Sequence, residues 1–221
     1  VAVAAAVRGA EASPLATRTS PLLWQYLLAA ELPAEKSREV IEALGTSSAD
    51  PVSSLLSSRL LTSGEKKRLE RVDTRDLERA LAQGVTVVEQ DEFGDSLRQS
   101  GSPPPALFAW GDTSCLTRPM VAIVGTRGAS AYGKACAQKF AEAFARAGLV
   151  VVSGGAMGID ENAHQGAMEA GGQTVAVFAN GVDVAQPPKN APLFARVREQ
   201  GCLVSAFAVG TPAMEHRFRP R

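Results

Sequence analysis

The chain has 221 residues and a mass of 23.1 kDa, room for one large domain or two small ones. With 45% hydrophobic and 21% charged residues it can bury a sizeable core, which excludes broad disorder. Its 23 basic and 23 acidic side chains cancel, so no polybasic or acidic tail dominates, although a local patch can exist at zero net charge.

The first residues are Ala-rich, and residues 1–19 read as a mobile tail. The apolar run 1–7 is short and is broken by Arg8 and Glu11, unlike a signal peptide. The chain begins with Val rather than Met, as a processed chain or a fragment would. From Pro21 the pattern turns helical, with Leu22, Leu23, Tyr26 and Leu27 at helical spacing. Further helices are predicted over 35–44, over 50–56 and, longer, over 65–81, where Leu69, Val72, Leu77 and Leu81 form the buried side. Residues 20–84 thus read as a small all-helical domain. Residues 85–120 read as an extended connector with two short extended pieces, 85–88 and 106–110, around a Gly/Ser/Pro stretch.

From Val121 strands and helices alternate. Apolar runs at 121–124, 149–152, 174–179 and 202–205 read as strands buried on both faces; helices over 132–147, 160–170 and 191–199 lie between them. Connections of this length suit crossovers between parallel strands. The fold class expected is α/β: a Rossmann-like, mostly parallel sheet over 121–221, preceded by a small all-helical, SAM-like domain. Residues 1–120 carry 13 basic and 16 acidic groups and residues 121–221 carry 10 and 7, so a polyanion should prefer the α/β half.

Three glycine- or turn-rich segments follow successive strands. The first holds Gly125, Thr126, Arg127 and Gly128, then Ser130 before a helix. Glycine past a strand permits a sharp turn and close approach to a ligand, and the following helix points its positive end there. Position 127 is Arg, so the dinucleotide fingerprint GxGxxG is not met, and no GK[ST] follows as in a P-loop. Taken alone, the segment also suits a plain strand-to-helix turn. The second segment is Ser153, Gly154, Gly155, Ala156, Met157, Gly158, Ile159 and Asp160, with His164 four residues after Asp160 on the same helix side. Asp160 suits an N-cap, and His164 suits a packed residue that shapes the loop floor. An Asp–His catalytic pair lacks a nucleophile, since Ser153 has no GxSxG context. The third segment runs through Asn180-Gly181-Val182-Asp183 to Pro187-Pro188-Lys189-Asn190. Such loops converge at the C-terminal edge of an open α/β sheet, where ligands bind. Met157 and Phe178 suit packing roles, and Tyr132 is the other aromatic close to these segments.

Cys115, Cys136 and Cys202 are widely spaced with no CxxC, which excludes a dense disulfide scaffold and points to a reducing compartment, the cytoplasm. No apolar run reaches the length of a membrane span. No metal cluster, activated nucleophile or carboxylate pair is visible, so neither enzyme activity nor a cofactor is expected.

The runs VAIVGTRGASAYG (121–133), SGGAMGIDENAHQGAMEAGG (153–172) and NGVD…PPKNAPLF (180–194) together resemble the DprA/Smf family of DNA-processing proteins. The closing FRPR (218–221) resembles the start of that family's F-x-x-R-N-R segment, beyond which its Rossmann-like domain continues. The resemblance implies a non-enzymatic, dimeric, cytoplasmic protein that binds single-stranded DNA in natural transformation and loads the RecA recombinase onto it. It places Gly125, Thr126, Arg127, Ser153, Gly154, Gly155, Ala156, Gly158, Asp160 and His164 at the DNA-binding pocket. Ser130 and the terminal Arg217, Arg219 and Arg221 join them as candidate contacts. The sequence departs from the family pattern at Leu32-Pro33-Ala34-Glu35-Lys36, where both glycines of a Leu-Pro-Gly-x-Gly turn are replaced. Two other readings are a nucleotide-binding enzyme of the phosphoribohydrolase type, whose PGGxGTxxE motif is absent, and a non-catalytic nucleotide sensor.

Overall fold

Capping side chains mark out the first helices of the computed structural model, which describes residues 18–46, 50–99 and 101–218. Ser20 Oγ accepts the Leu23 amide at 3.1 Å and Pro21 opens α1 (Pro21–Ala29). Helix α2 (Ala34–Leu44) ends at Gly45. Asp50 accepts the Ser53 amide at 3.1 Å and starts α3 (Pro51–Ser57). A Thr62–Glu65 capping box starts α4 (Ser63–Leu69), and Asp73 caps α5 (Thr74–Ala82) through the Arg75 amide at 2.9 Å. The single helix expected over 65–81 is therefore two. The Asp73 side chain takes a helix-starting role, and the chain turns at Glu70–Val72.

The expected tail lies outside the described residues except for its last two. These are held: Arg18 pairs with Glu92, and the Thr19 amide donates to Glu89 Oε1 at 2.8 Å. The ordered fold thus begins at least two residues earlier than the tail reading allowed.

The sheet elements follow in the order β1 (Val85–Glu89), a short helix α6 (Asp95–Arg98), β2 (Ala106–Gly111), β3 (Met120–Ala122), α7 (Ala131–Arg146), β4 (Val150–Ser153), α8 (Ile159–Glu169), β5 (Thr174–Phe178), α9 (Ala191–Gln200) and β6 (Cys202–Ser205). They form one six-stranded sheet in the order β1-β2-β6-β5-β4-β3. Strands β3 to β6 are parallel, each beside its predecessor, whereas β2 pairs antiparallel with both β1 and β6. Residues 85–120 are thus more than a connector, because β1 and β2 extend the sheet by two strands. Phe108–Gly111 pairs with Cys202–Ser205 on one side, and β1 pairs with β2 on the other, so the β2 backbone finds partners along both edges.

Alternation along the strands separates the two faces. Val151, Ala176, Phe178 and Leu203 face α7, α8 and α9, together with Ala141, Ala163, Leu193, Phe194 and Val197. Val150, Val175, Cys202 and Val204 face the segment carrying Phe93, Cys115 and Leu116. The helical part shares the first core: Leu23, Leu27, Val40, Leu55, Leu69 and Leu77 are buried in the same cluster as Phe108 and Phe178. Each such side chain contributes about 2 kcal/mol of burial. The buried Gln25 amide locks this junction, donating to the Val209 carbonyl and accepting the Val209 amide, both at 2.9 Å.

Candidate functional site

The three turn-rich segments leave the C-terminal ends of β3, β4 and β5, which are adjacent and parallel, so they share one sheet edge. The first two are pressed together. A Cβ on Gly158 would lie 2.4 Å from the Thr126 carbonyl oxygen and 2.6 Å from that of Arg127, and Gly158 has φ +89°. A Cβ on Gly125 would lie 2.6 Å from Ile159 Cγ1. Only glycine permits this approach at either position. The Ile159 amide then donates to the Thr126 carbonyl at 3.3 Å. The third segment ties in through Asn190, whose Nδ2 donates to the Gly155 carbonyl at 3.0 Å.

Asp160 joins the first two loops, but not as an N-cap. It is the second residue of α8, and its Oδ1 and Oδ2 accept the amides of Gly125 and Ala156, each at 3.3 Å. Asp160 is 3% exposed. These two amides, expected to face a ligand, instead face a built-in anion.

Burial divides the predicted site residues. Ser153, Gly154, Gly155, Gly158 and Asp160 are buried and form the floor; Ser153 Oγ donates to the Ile123 carbonyl at 2.6 Å, joining β4 to the end of β3. Gly125, Thr126, Arg127 and Ser130 are exposed, and Ala156 is half-buried. Ser130 Oγ accepts the Gly133 amide at 3.1 Å and so caps α7, whose N-terminus opens on this surface.

His164 does not belong to this surface. It is fully buried one turn further along α8, and its Nδ1 lies 2.7 Å from the hydroxyl of Thr174, the first residue of β5, at the opposite end of the strands. Thr174 donates that hydroxyl to the Val151 carbonyl at 2.7 Å, so it accepts from Nδ1–H. Nε2 is left a buried acceptor without a partner among the described residues. Burial pushes the ring pKa down to about 4.

Arg217 is also elsewhere. Its guanidinium donates to the Pro212 carbonyl at 2.9 Å and to Glu31 at 3.1 Å, and sits 5.4 Å from the Phe207 ring centre. It lines a mostly apolar cavity of about 750 Å³ next to Phe207, Leu32 and Val177, with its cation already matched by Glu31. Arg219 and Arg221 lie outside the described residues. Phe178 is a core residue packed edge-on to Phe194, with ring centres 4.7 Å apart.

The sequence reading assigned Met157 to packing and counted Val124 within the buried strand over 121–124. Met157 is 40% exposed in the second loop, and Val124 is 72% exposed beyond the end of β3. The placement of Met157 between Gly155 and Gly158 was a usable signal for a projecting side chain. Nothing local marks Val124. Among the described residues no three His, Cys, Asp or Glu side chains are grouped to hold a metal ion.

A family model described as DNA recombination-mediator protein A matches residues 84–221, the sheet and all three loops. The chain belongs to this family. A Bacillus subtilis DNA processing protein DprA is 32% identical over 142 residues, 63% of this chain and 48% of that protein. The Escherichia coli protein Smf is 38% identical over 119 residues, 53% of this chain and 32% of that protein. A Mycobacterium tuberculosis relative is 32% identical over 173 residues, 72% of this chain and 44% of that protein. The chain thus spans less than half the length of these curated relatives. The recombination-mediator fold is likewise seen in the Streptococcus pneumoniae DNA processing protein A structure, with a TM-score of 0.69 and 24% identity over 91% of this chain and 72% of that one. A Helicobacter pylori DNA processing protein A structure, described for its single-stranded DNA binding mode, has a TM-score of 0.55 and 25% identity over 61% of each chain. Among the described residues no helix is long and apolar enough to cross a membrane.

Proposed function

We propose that the protein binds single-stranded DNA at the edge formed by the three loops and serves as a recombination mediator that passes the strand to a RecA recombinase. The observation that carries this is the exposed Arg127, presented between the end of β3 and the capped N-terminus of α7 on a loop braced from below by Asp160. Family membership and the described DNA binding mode of the Helicobacter pylori protein support the same reading. Thr126 and Ser130 add exposed hydroxyls beside the guanidinium. The protein acts as a homodimer in the cytoplasm and catalyses no reaction. Asp160, the carboxylate beneath the first two loops, is buried and accepts a loop amide through each oxygen, which disfavours a phosphoribohydrolase that would use it as the substrate-facing carboxylate.

The test is a titration of wild type and Arg127→Ala with single-stranded oligonucleotides at several salt concentrations. The substitution is expected to cost about 1–3 kcal/mol of binding and to lower the salt dependence by about one phosphate contact. The melting temperature should not change. Unaltered affinity and salt slope would remove Arg127 from the site.

A further inference from the structure

A second cavity lies where the helical part meets the first two strands. It measures about 590 Å³, a volume usual for small-ligand sites. Trp24 of α1 and Ala34, Arg38 and Ile41 of α2 line it on the helical side. Glu89, Gln90 and Asp91, at and just after the end of β1, line it on the sheet side, and Pro105, just before β2, adds an apolar patch. One group of this lining is unmet. Trp24 is 3% exposed, and its Nε1–H finds no acceptor among the described residues. The other indole of the chain, Trp110, shows the ordinary arrangement, with Nε1 donating to the Gln83 carbonyl at 2.9 Å. A buried donor without an acceptor is costly, and a tryptophan N–H inside a protein usually has one.

The charged lining residues divide into spent and unspent. Glu89 accepts the Thr19 amide with one oxygen and the Thr19 hydroxyl with the other. Arg98, also at the cavity, pairs with Asp95. Arg38 donates through one nitrogen to Gln90 Oε1 at 2.9 Å, and the rest of its guanidinium meets nothing among the described residues. Asp91 has no hydrogen bond or ion pair among them. The Arg38–Gln90 bond holds the guanidinium near the residue that precedes Asp91, yet cation and carboxylate stay unjoined. The unspent set is therefore one cation, one anion and one buried N–H, beside apolar side chains. We propose that this cavity binds a small zwitterion with an apolar side chain, of the α-amino acid or short-peptide class. Its carboxylate meets the open donors of Arg38, which can hold a carboxylate through two N–H groups. Its ammonium meets Asp91, its side chain packs among Ala34, Ile41 and Pro105, and one of its oxygens accepts from Trp24 Nε1. A plain anion would be opposed by Asp91 and a plain cation by Arg38, so the pair selects a molecule that carries both charges. None of the lining residues belongs to the three loops, and the proposal does not rest on the DNA reading.

The experiment follows the indole N–H signals of the isotope-labelled protein by NMR. The chain has two tryptophans, so Trp110→Phe assigns both signals. L-leucine and L-leucyl-L-leucine are titrated to millimolar concentration beside N-acetyl-L-leucine, which lacks the ammonium, and L-leucinamide, which lacks the carboxylate. At least one of the two zwitterions should move the Trp24 signal downfield and saturably, as its N–H gains an acceptor, and leave the Trp110 signal in place. Each single-charge analogue should bind about tenfold more weakly. Arg38→Ala should weaken binding of the zwitterion about tenfold and Asp91→Asn about threefold. Both side chains are exposed, so the melting temperature should not change in either variant. No shift of the Trp24 signal with either zwitterion would overturn the proposal. So would binding of a single-charge analogue as tight as that of the zwitterion, or wild-type affinity in both Arg38→Ala and Asp91→Asn. A Trp24 signal already at a hydrogen-bonded position in the ligand-free protein, and unmoved by all four compounds, would show that the chain itself supplies the acceptor and would equally overturn it.

Discussion

The two ends of the parallel strands are built from similar residue types for opposite purposes. At the starting end, Thr174 bonds His164 and Val151, and a Cβ on Gly201 would lie 2.0 Å from the Thr174 carbonyl oxygen. Cys202 is buried there with Cys115; their sulfur contact and burial push the Cys202 thiol well above its usual range. The Thr174 hydroxyl and His164 Nδ1 are closed on one another at this end, and His164 Nε2 is shut away from water. At the finishing end, a buried carboxylate satisfies two backbone donors, but on the same edge lie exposed Thr126, Arg127, Ser130 and Tyr132. The starting end is a seal and the finishing end a platform. A glycine, a histidine or an aspartate therefore has no fixed meaning in this fold; its meaning depends on which end of the strand it reaches.

The sharpest test of that division is Gly158→Ala. The new methyl group meets two backbone carbonyls of the other loop at a positive φ, so nothing flexible can give way. A loss of about 3 kcal/mol or more is expected, with a melting temperature lower by about 6–12 °C and weakened binding to single strands as the two loops separate. Wild-type stability and affinity in this variant would show that the loops do not act as one platform.

His164 tests the seal. Its ring stays neutral in the folded protein down to about pH 4, whereas in the unfolded chain it takes a proton near pH 6.5. The unfolded state therefore binds more protons between these values. This contribution to stability is full above about pH 6.5, falls as pH drops through the window and reaches a loss of about 3 kcal/mol near pH 4. Urea melts at pH 7 and pH 5 should show the drop in wild type and a smaller one in His164→Ala, which is less stable at both. The sequence reading took His164 to shape the loop floor and, by the family resemblance, placed it at the DNA-binding pocket. Because the ring packs at the far end of the strands, affinity of the folded variant should stay within about twofold of wild type. Joint loss of both would break the comparison.

Arg217→Ala should have the smallest effect. It removes a partly exposed pair with Glu31 and a ring contact with Phe207, costing about 0.5–1 kcal/mol. Affinity for single strands should again stay within about twofold. A large loss, measured by the same titration, would return this arginine to the binding surface.

Strand and helix positions over 121–205 were legible because their signals are local: short apolar runs, helical spacing and glycines after strands. The glycine loops were legible for the same reason, and the parallel order makes them converge. Even the break between α4 and α5 had a local sign in Asp73, outweighed in the reading by a continuous apolar stripe from Leu69 to Leu81. Partners distant in the chain were not legible. That β2 pairs with β6, that Arg217 meets Glu31 and that Gln25 clasps Val209 depend on segments roughly 90 to 190 residues apart. No periodicity encodes such pairings.

What the sequence determined by itself is the α/β class, the succession of its elements and the three loops at one edge, since backbone preference and apolar spacing act over a few residues. Tertiary structure alone decided which way Asp160 faces, that His164 seals the far end and that Val124, Tyr132 and Met157 remain in solvent. Exposure and side-chain direction are set by what packs alongside. For these residues that neighbour is a loop or strand brought close only when the sheet closes up.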